Sequence, residues 1–213
     1  MPKEKFQNVT TWVFDLDHTL YPPDANLFHG IQEKMTGYVM RELKLEYQEA
    51  AELRSRYWRE HGTTLAGLML NHGIDPHPFL DEVHDIALDA LSPDLDLVDS
   101  LHNLPGRRIV FTNGSKEHAR RVTRARGIDG AFDAFYGIEC AGFTPKPHRT
   151  AFDRVIELDG FEPGTAAMFE DEARNLEIPY ELGMQTVLVG QKSDQAYIHH
   201  QTDDLTGFLR NLA

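Results

Sequence analysis

Four short apolar runs punctuate the chain, roughly Thr11 to Phe14, Arg108 to Phe111, Ala166 to Phe169 and Thr186 to Val189. Continuous runs of this length read as strands buried on both faces, the signature of a parallel sheet. Helical patterns separate the later runs. One covers about Lys116 to Arg126 and stops at Gly127; another covers Arg149 to Leu158 and stops near Gly160. Glycine just past the last turn is a common helix stop. Strand and helix alternating in this way predict βαβ units and an α/β fold built on a parallel sheet.

The interval between the first two runs breaks this rhythm. Leu27, Ile31, Met35, Tyr38 and Val39 fall at helical spacing, as do Ala50, Leu53 and Tyr57. Pro22, Pro23 and Asp24 precede them as turn and cap signals. Further helical pieces are expected over Thr64 to Asn71 and Pro78 to Leu91, with Pro93 and the Asp-rich turn after it as a return hinge. The expected organisation is a core of residues 1–20 and 104–213 interrupted by a helical cap at 21–103. Entry directly after Asp15 and Asp17 favours a lid over a lobe that only adds stability. Trp12 and Trp58 are expected in the core.

With 213 residues, 41% of them hydrophobic, the chain can bury a sizeable core. A formal net charge of −13 argues against a nucleic-acid partner and against an anionic membrane surface, since both need a positive field. A single cysteine, Cys140, excludes an intrachain disulfide and a thiolate zinc cluster. No apolar run approaches a membrane span, and the first residues lack a signal-peptide core, so a cytoplasmic location is expected. The eleven histidines include His72, His77, His84, His199 and His200, which are expected at the surface or in the cap, without a metal-ligand set.

The predicted strands end in reactive groups. The first runs into Asp15-Leu16-Asp17-His18-Thr19. The two carboxylates suit separate tasks: one nucleophile or metal ligand, one acid/base. The second strand ends in Thr112-Asn113-Gly114, a hydroxyl, an amide and a glycine N–H at a helix start, which together can cradle an anion. Pro145-Lys146-Pro147 fixes one cation, and the third strand ends in Glu170-Asp171. Ligands of open α/β sheets bind at the carboxyl ends of the strands. Asp15, Asp17, Glu170 and Asp171 gathered there would repel by roughly 4 kcal/mol per pair at ~4 Å and an effective dielectric near 20. Lys146 alone cannot offset that. A hard dication with oxygen ligands can, and Mg²⁺ suits a few carboxylates and a phosphate oxygen. The set reads as a kit for phosphoryl transfer.

These four segments, in this order, resemble the four motifs of the haloacid dehalogenase superfamily, and the helical insertion resembles its C1 cap over a Rossmann-like core. Asp17-His18-Thr19-Leu20-Tyr21-Pro22-Pro23 and Phe169 to Glu177 are similar to the pyrimidine 5′-nucleotidase group. That group often has asparagine where this chain has His18, a position expected to point away from the phosphate.

The resemblance implies Asp15 as the nucleophile that forms an aspartyl-phosphate, Asp17 as general acid/base, and Lys146 as charge balance. It implies Thr112, Asn113 and Gly114 as phosphate holders. Mg²⁺ would be bound by Asp15, the Asp17 backbone carbonyl and Asp171, with Glu170 direct or through water. Asn175 orients ligands or faces solvent. Superfamily dehalogenases lack the second aspartate, so Asp17 favours a phosphatase, with a mutase as another user of the same groups. A C1 cap implies a small phosphorylated substrate, first a pyrimidine nucleoside monophosphate, with Tyr21, Thr63 and Thr64 as candidate specificity residues. Phosphoglycolate or a sugar phosphate is the alternative, and a non-catalytic regulator that binds a phosphometabolite is the third reading. The sequence leaves the oligomeric state open.

Overall fold

The computed structural model describes residues 2–212. They form a six-stranded sheet, parallel throughout, in the order β3-β2-β1-β4-β5-β6. The strands are β1 Thr11–Phe14, β2 Arg107–Phe111, β3 Ala134–Tyr136, β4 Ala166–Glu170, β5 Gln185–Val189 and β6 His200–Thr202. β1 lies between β2 and β4, with Thr11 opposite Arg107 on one side and Ala166 on the other. All its residues are buried, which explains its unbroken apolar run.

The period of two along each strand divides the core. Trp12, Phe14, Val110 and Phe169 face one layer, while Val13, Ile109, Phe111 and Met168 face the other. The rings of Phe14 and Phe169 stack across neighbouring strands at 4.7 Å. Helices α1 Pro2–Lys5, α7 Lys116–Ala125, α8 Arg149–Asp159, α9 Glu177–Glu181 and α10 Leu205–Arg210 accompany the sheet. The chain leaves β1 toward β2 and β3, then crosses back to β4. The crevice at this reversal opens at the carboxyl ends of β1 and β4.

Between β1 and β2 run α2 Leu27–Leu43, α3 Tyr47–His61, α4 Thr64–His72, α5 Pro76–Val83 and α6 Leu95–His102. The first four share a third apolar cluster that includes Ile31, Val39, Tyr57, Leu68 and Phe79. A capping box between Glu46 and Glu49 starts α3, and Gly67 lets α4 lie against the Tyr57 ring where a Cβ would collide.

The structure departs from the sequence expectations in four places. The two outer strands β3 and β6 are three residues each, and His200-Gln201-Thr202 is polar, so neither leaves an apolar run. α5 stops at Val83 instead of running to Leu91, because the Arg121 guanidinium takes the carbonyls of His84 (2.7 Å) and Ile86 (3.0 Å). The Asp-rich stretch after Pro93 is a helix, α6. Asp94 caps it by accepting from the Leu97 N–H at 3.0 Å. Leu97, Leu101 and Leu104 share the apolar cluster of Trp12 and Phe14, so α6 packs with the sheet and not with the cluster of α2 to α5. Trp58 is 42% exposed, outside any core cluster, with the Arg174 guanidinium 4.1 Å above its ring. Trp12 is buried as expected.

Candidate active site

β1 ends at Phe14, but the Asp15 N–H still bonds to the Phe169 carbonyl at 2.9 Å, so Asp15 leaves the sheet in register. The chain then turns: Leu20 N–H closes on the Leu16 carbonyl, and His18 adopts a left-handed φ of 59°. Both Asp15 and Asp17 line one cavity of about 480 Å³. Thr112, Asn113, Gly114, Glu170 and Asp171 line it from the neighbouring strand ends.

Lys146 is 1% exposed and spends all its donors inside the fold. Its ammonium lies 2.7 Å from Asp15 Oδ1, 2.7 Å from Glu170 Oε2 and 2.9 Å from the Phe111 carbonyl. The Asn113 side chain braces the lysine's backbone, accepting from Lys146 N–H at 2.8 Å and donating to its carbonyl at 3.1 Å. Gly114 N–H donates to Thr112 Oγ1 at 2.9 Å, closing the turn that opens α7. The turn between α3 and α4 presses on the same loop. Gly62, at φ +84°, sits where a Cβ would be 3.0 Å from the Pro145 ring and 3.1 Å from the Lys146 carbonyl.

One ammonium bonds to two of three crowded carboxylates. Asp15, Glu170 and Asp171 each offer an oxygen, all within 4.8 Å of one another. Burial and the nearby Glu170 charge push the Asp15 carboxyl up to about 7, against the pull of Lys146. Burial raises Glu170 to about 7 as well, and it raises Asp171. Glu170 is already engaged, by Lys146 and by the Glu172 N–H on Oε1 at 3.2 Å. Asn175 is buried with its Oδ1 unpartnered among the described residues, which removes the solvent-facing reading. An excess of hard oxygen donors beside an orphaned amide oxygen fits a divalent cation such as Mg²⁺.

Asp17 stands apart from that cluster. Its Oδ1 accepts from the Tyr21 hydroxyl at 2.6 Å and lies 3.8 Å from His118 Nε2. Burial works to raise its pKa, but His118, Tyr21 and His84 outweigh it and hold the carboxyl below the usual range.

Several assignments change with the geometry. Tyr21 is 1% exposed, packed in the core cluster and absent from the cavity wall, so it cannot stack on a substrate. Thr63 and Thr64 do line the cavity. Their hydroxyls are engaged: Thr63 caps α4 by accepting from Ala66 N–H at 3.1 Å, and Thr64 donates to the Arg54 carbonyl at 3.2 Å. His18 lines the cavity with Nδ1 3.5 Å from Asp171 Oδ2, contrary to an outward orientation, and Asp171 raises its pKa. His84 is buried against Gly114 and His118, not at the surface. Arg54, which the sequence did not single out, lines the cavity with a buried Nε that has no hydrogen-bond partner among the described residues. Its only sequence signal is a cation one helical turn before Trp58.

A family model described as haloacid dehalogenase-like hydrolase matches residues 9–178. The chain belongs to that family. Phosphate metabolism protein 8 of Saccharomyces cerevisiae is 28% identical over 193 residues, or 82% of this chain; the match spans 60% of that relative's length. A HAD phosphatase from Thermococcus onnurineus superposes with a TM-score of 0.63 at 18% identity, over 96% of this chain and 98% of that one. A 2-haloacid dehalogenase from Pseudomonas syringae superposes with 0.59 at 16% identity, over 94% and 96%. The superpositions share the fold, and they include both chemistries. Among the described residues no helix is long and apolar enough to cross a membrane.

Proposed function

We propose that this hydrolase is a Mg²⁺-dependent phosphatase of small phosphate monoesters that works through an aspartyl-phosphate on Asp15. One observation carries the reading: a lysine-backed carboxylate, Asp15, and a separately held carboxylate, Asp17, line the same cavity. Displacing a halide from carbon needs no proton for the leaving group. Expelling an alkoxide from phosphorus does, and Asp17 would be the group that gives one. The yeast relative's name, which refers to phosphate metabolism, points the same way.

In the first step an Asp15 oxygen bonds to phosphorus, the ester P–O bond breaks, and Asp17 protonates the departing oxygen. In the second, Asp17 takes a proton from water, the water oxygen bonds to phosphorus, and Asp15 is released with inorganic phosphate. Lys146 holds Asp15 oriented. Thr112, Asn113 and Gly114 would border the phosphoryl oxygens. Asp15, Asp171 and the Asp17 backbone carbonyl would hold Mg²⁺, with Glu170 anchored behind them on Lys146. When bound, the ion neutralises charge on the phosphoryl oxygens.

The helices α2 to α5 would serve as a C1 cap. The first substrate to test is a pyrimidine nucleoside monophosphate. Its ring carbonyls would meet Arg54, whose Nε is buried with no hydrogen-bond partner among the described residues, in place of Tyr21, Thr63 and Thr64. Phosphate release from nucleoside monophosphates, phosphoglycolate and sugar phosphates, measured with Mg²⁺ and with EDTA and with Asp15→Asn as control, tests the proposal. Release that survives EDTA or the substitution would sink it. Strongest release from phosphoglycolate would keep the chemistry and move the substrate.

A further inference from the structure

We infer that His118 is a positioning residue for Asp17, and that His84, carried by the helical insert, holds His118 in place. The inference rests on Asp17 being the acid/base.

His118 is 1% exposed, and both its ring nitrogens are buried with no hydrogen-bond partner among the described residues. An unsatisfied buried polar group is destabilising, and a phenyl ring would fill the same space without that penalty. The nearest charge is Asp17, with Oδ1 3.8 Å from Nε2. On its other side the same oxygen accepts from Tyr21 at 2.6 Å. Oδ1 is therefore flanked by two groups of the protein, and Oδ2 is left for proton transfer.

The second half concerns what holds His118. The His84 ring stacks on it at 4.2 Å and 13° between planes. His84 follows directly on α5 of the insert, whereas His118 lies in the first turn of α7 in the core. Two α7-side groups fix His84 there. Its Nδ1 lies 3.1 Å from Ser115 Oγ, and its carbonyl accepts from Arg121 at 2.7 Å. Ser115 Oγ also accepts from the His118 backbone N–H at 3.2 Å, so one hydroxyl serves both histidines. The imidazole of the insert thus closes the pocket in which His118 meets Asp17. Undocking the insert removes the stacking surface behind His118, and with it the alignment of the acid/base.

Leaving-group dependence separates this role from simple packing. p-Nitrophenolate departs without a proton, whereas the sugar alkoxide of ribose 5-phosphate needs one. His118→Phe keeps ring volume and stacking but removes the nitrogens. It is expected to lower turnover of ribose 5-phosphate about 100-fold, the low end for a lost general acid, and to keep the nitrophenolate burst within about 3-fold. His118→Gln restores a donor and should recover most of the loss. His84→Ala should shift the ratio in the same direction by about 10-fold with KM little changed. Equal losses for both leaving groups, or no loss, would overturn the inference. If His118→Phe does not fold, judged by its melting curve, the His84→Ala ratio decides. A wild-type protein that hydrolyses neither ester overturns the phosphatase reading itself, an outcome distinct from an unchanged ratio in an active enzyme.

Discussion

The floor and the roof of the cavity are built by opposite rules. On the floor, Asp15, Lys146 and Glu170 are buried, and the lysine that links them bonds to both carboxylates and to a backbone carbonyl. The roof, from α2 to α5, mixes Phe28, Ile31 and Leu65 with Arg54 and the half-exposed Trp58, and it has its own apolar cluster. A floor so constrained leaves little room for substitution. A roof with an independent core can change its lining without disturbing the sheet, and under the proposed function the two regions would divide reaction type from substrate choice. Substitutions on the floor should therefore remove catalysis or stability outright, and those on the roof should redistribute substrates.

The largest expected effect is on the floor. Asp15→Asn keeps shape but removes the nucleophile, and turnover should fall on the order of 10⁴-fold or more, as for other nucleophile deletions. Its metal-free melting temperature should hold or rise, because one of three crowded carboxylates is neutralised. A variant that keeps turnover would leave the floor with no assigned chemistry. Lys146→Met comes next, leaving Asp15 and Glu170 buried without their cation. Breaking a buried ion pair by removing one partner costs about 3–5 kcal/mol. The loss, read by urea unfolding in EDTA, should be full at pH 8 and smaller at pH 5, where both carboxylates keep their protons because burial lifts them to about 7. An equal loss at both pH values would contradict that electrostatic account.

Metal sharpens the same contrast. Without it, Asp15 and Glu170 bind protons more tightly in the folded than in the unfolded chain. Their contribution to stability is complete below about pH 4 and is lost as pH rises through about 7. The melting temperature in EDTA should therefore fall as pH rises across that window. Mg²⁺ needs deprotonated ligands, so its stabilisation should be larger at pH 8 than at pH 5, about 2.7 kcal/mol at one hundred times Kd. Stabilisation that is absent, or independent of pH, would count against a carboxylate metal site.

Much of the floor was legible because buried strands leave apolar runs and end in their functional groups. Thr11 to Phe14, Ala166 to Phe169 and the acids after them needed only local pattern. What escaped was set by partners distant in sequence. β6 is polar because it is an outer strand, and α5 ends early where Arg121, some forty residues on, takes the carbonyls of His84 and Ile86 just beyond it. Tyr21 was expected on the roof because it follows the first motif, yet the turn at His18 folds it back beneath Asp17. His84 and His118 carry no motif at all. Their roles exist only through the contacts that His84, just past α5, makes with Ser115, His118 and Arg121. Arg54 was illegible for a related reason: an arginine on an amphipathic helix reads as solvated until the cavity is seen.

The smallest expected effect tests the roof through that arginine. Burial lowers the pKa of Arg54, and its Nε lacks a partner among the described residues, so an acceptor on the substrate would gain a donor that is already desolvated. Hydrogen bonds to a charged group contribute about 1.5–3 kcal/mol, so Arg54→Ala should raise KM for UMP by about 10-fold or more. Ribose 5-phosphate has the same phosphoryl group and sugar but no base, so its KM should stay level, and kcat should hold for both. Equal changes in the two KM values would place Arg54 in general electrostatics and take base recognition away from this wall. A fall in kcat for both esters would go further, because a roof residue would then be setting the chemistry assigned to the floor.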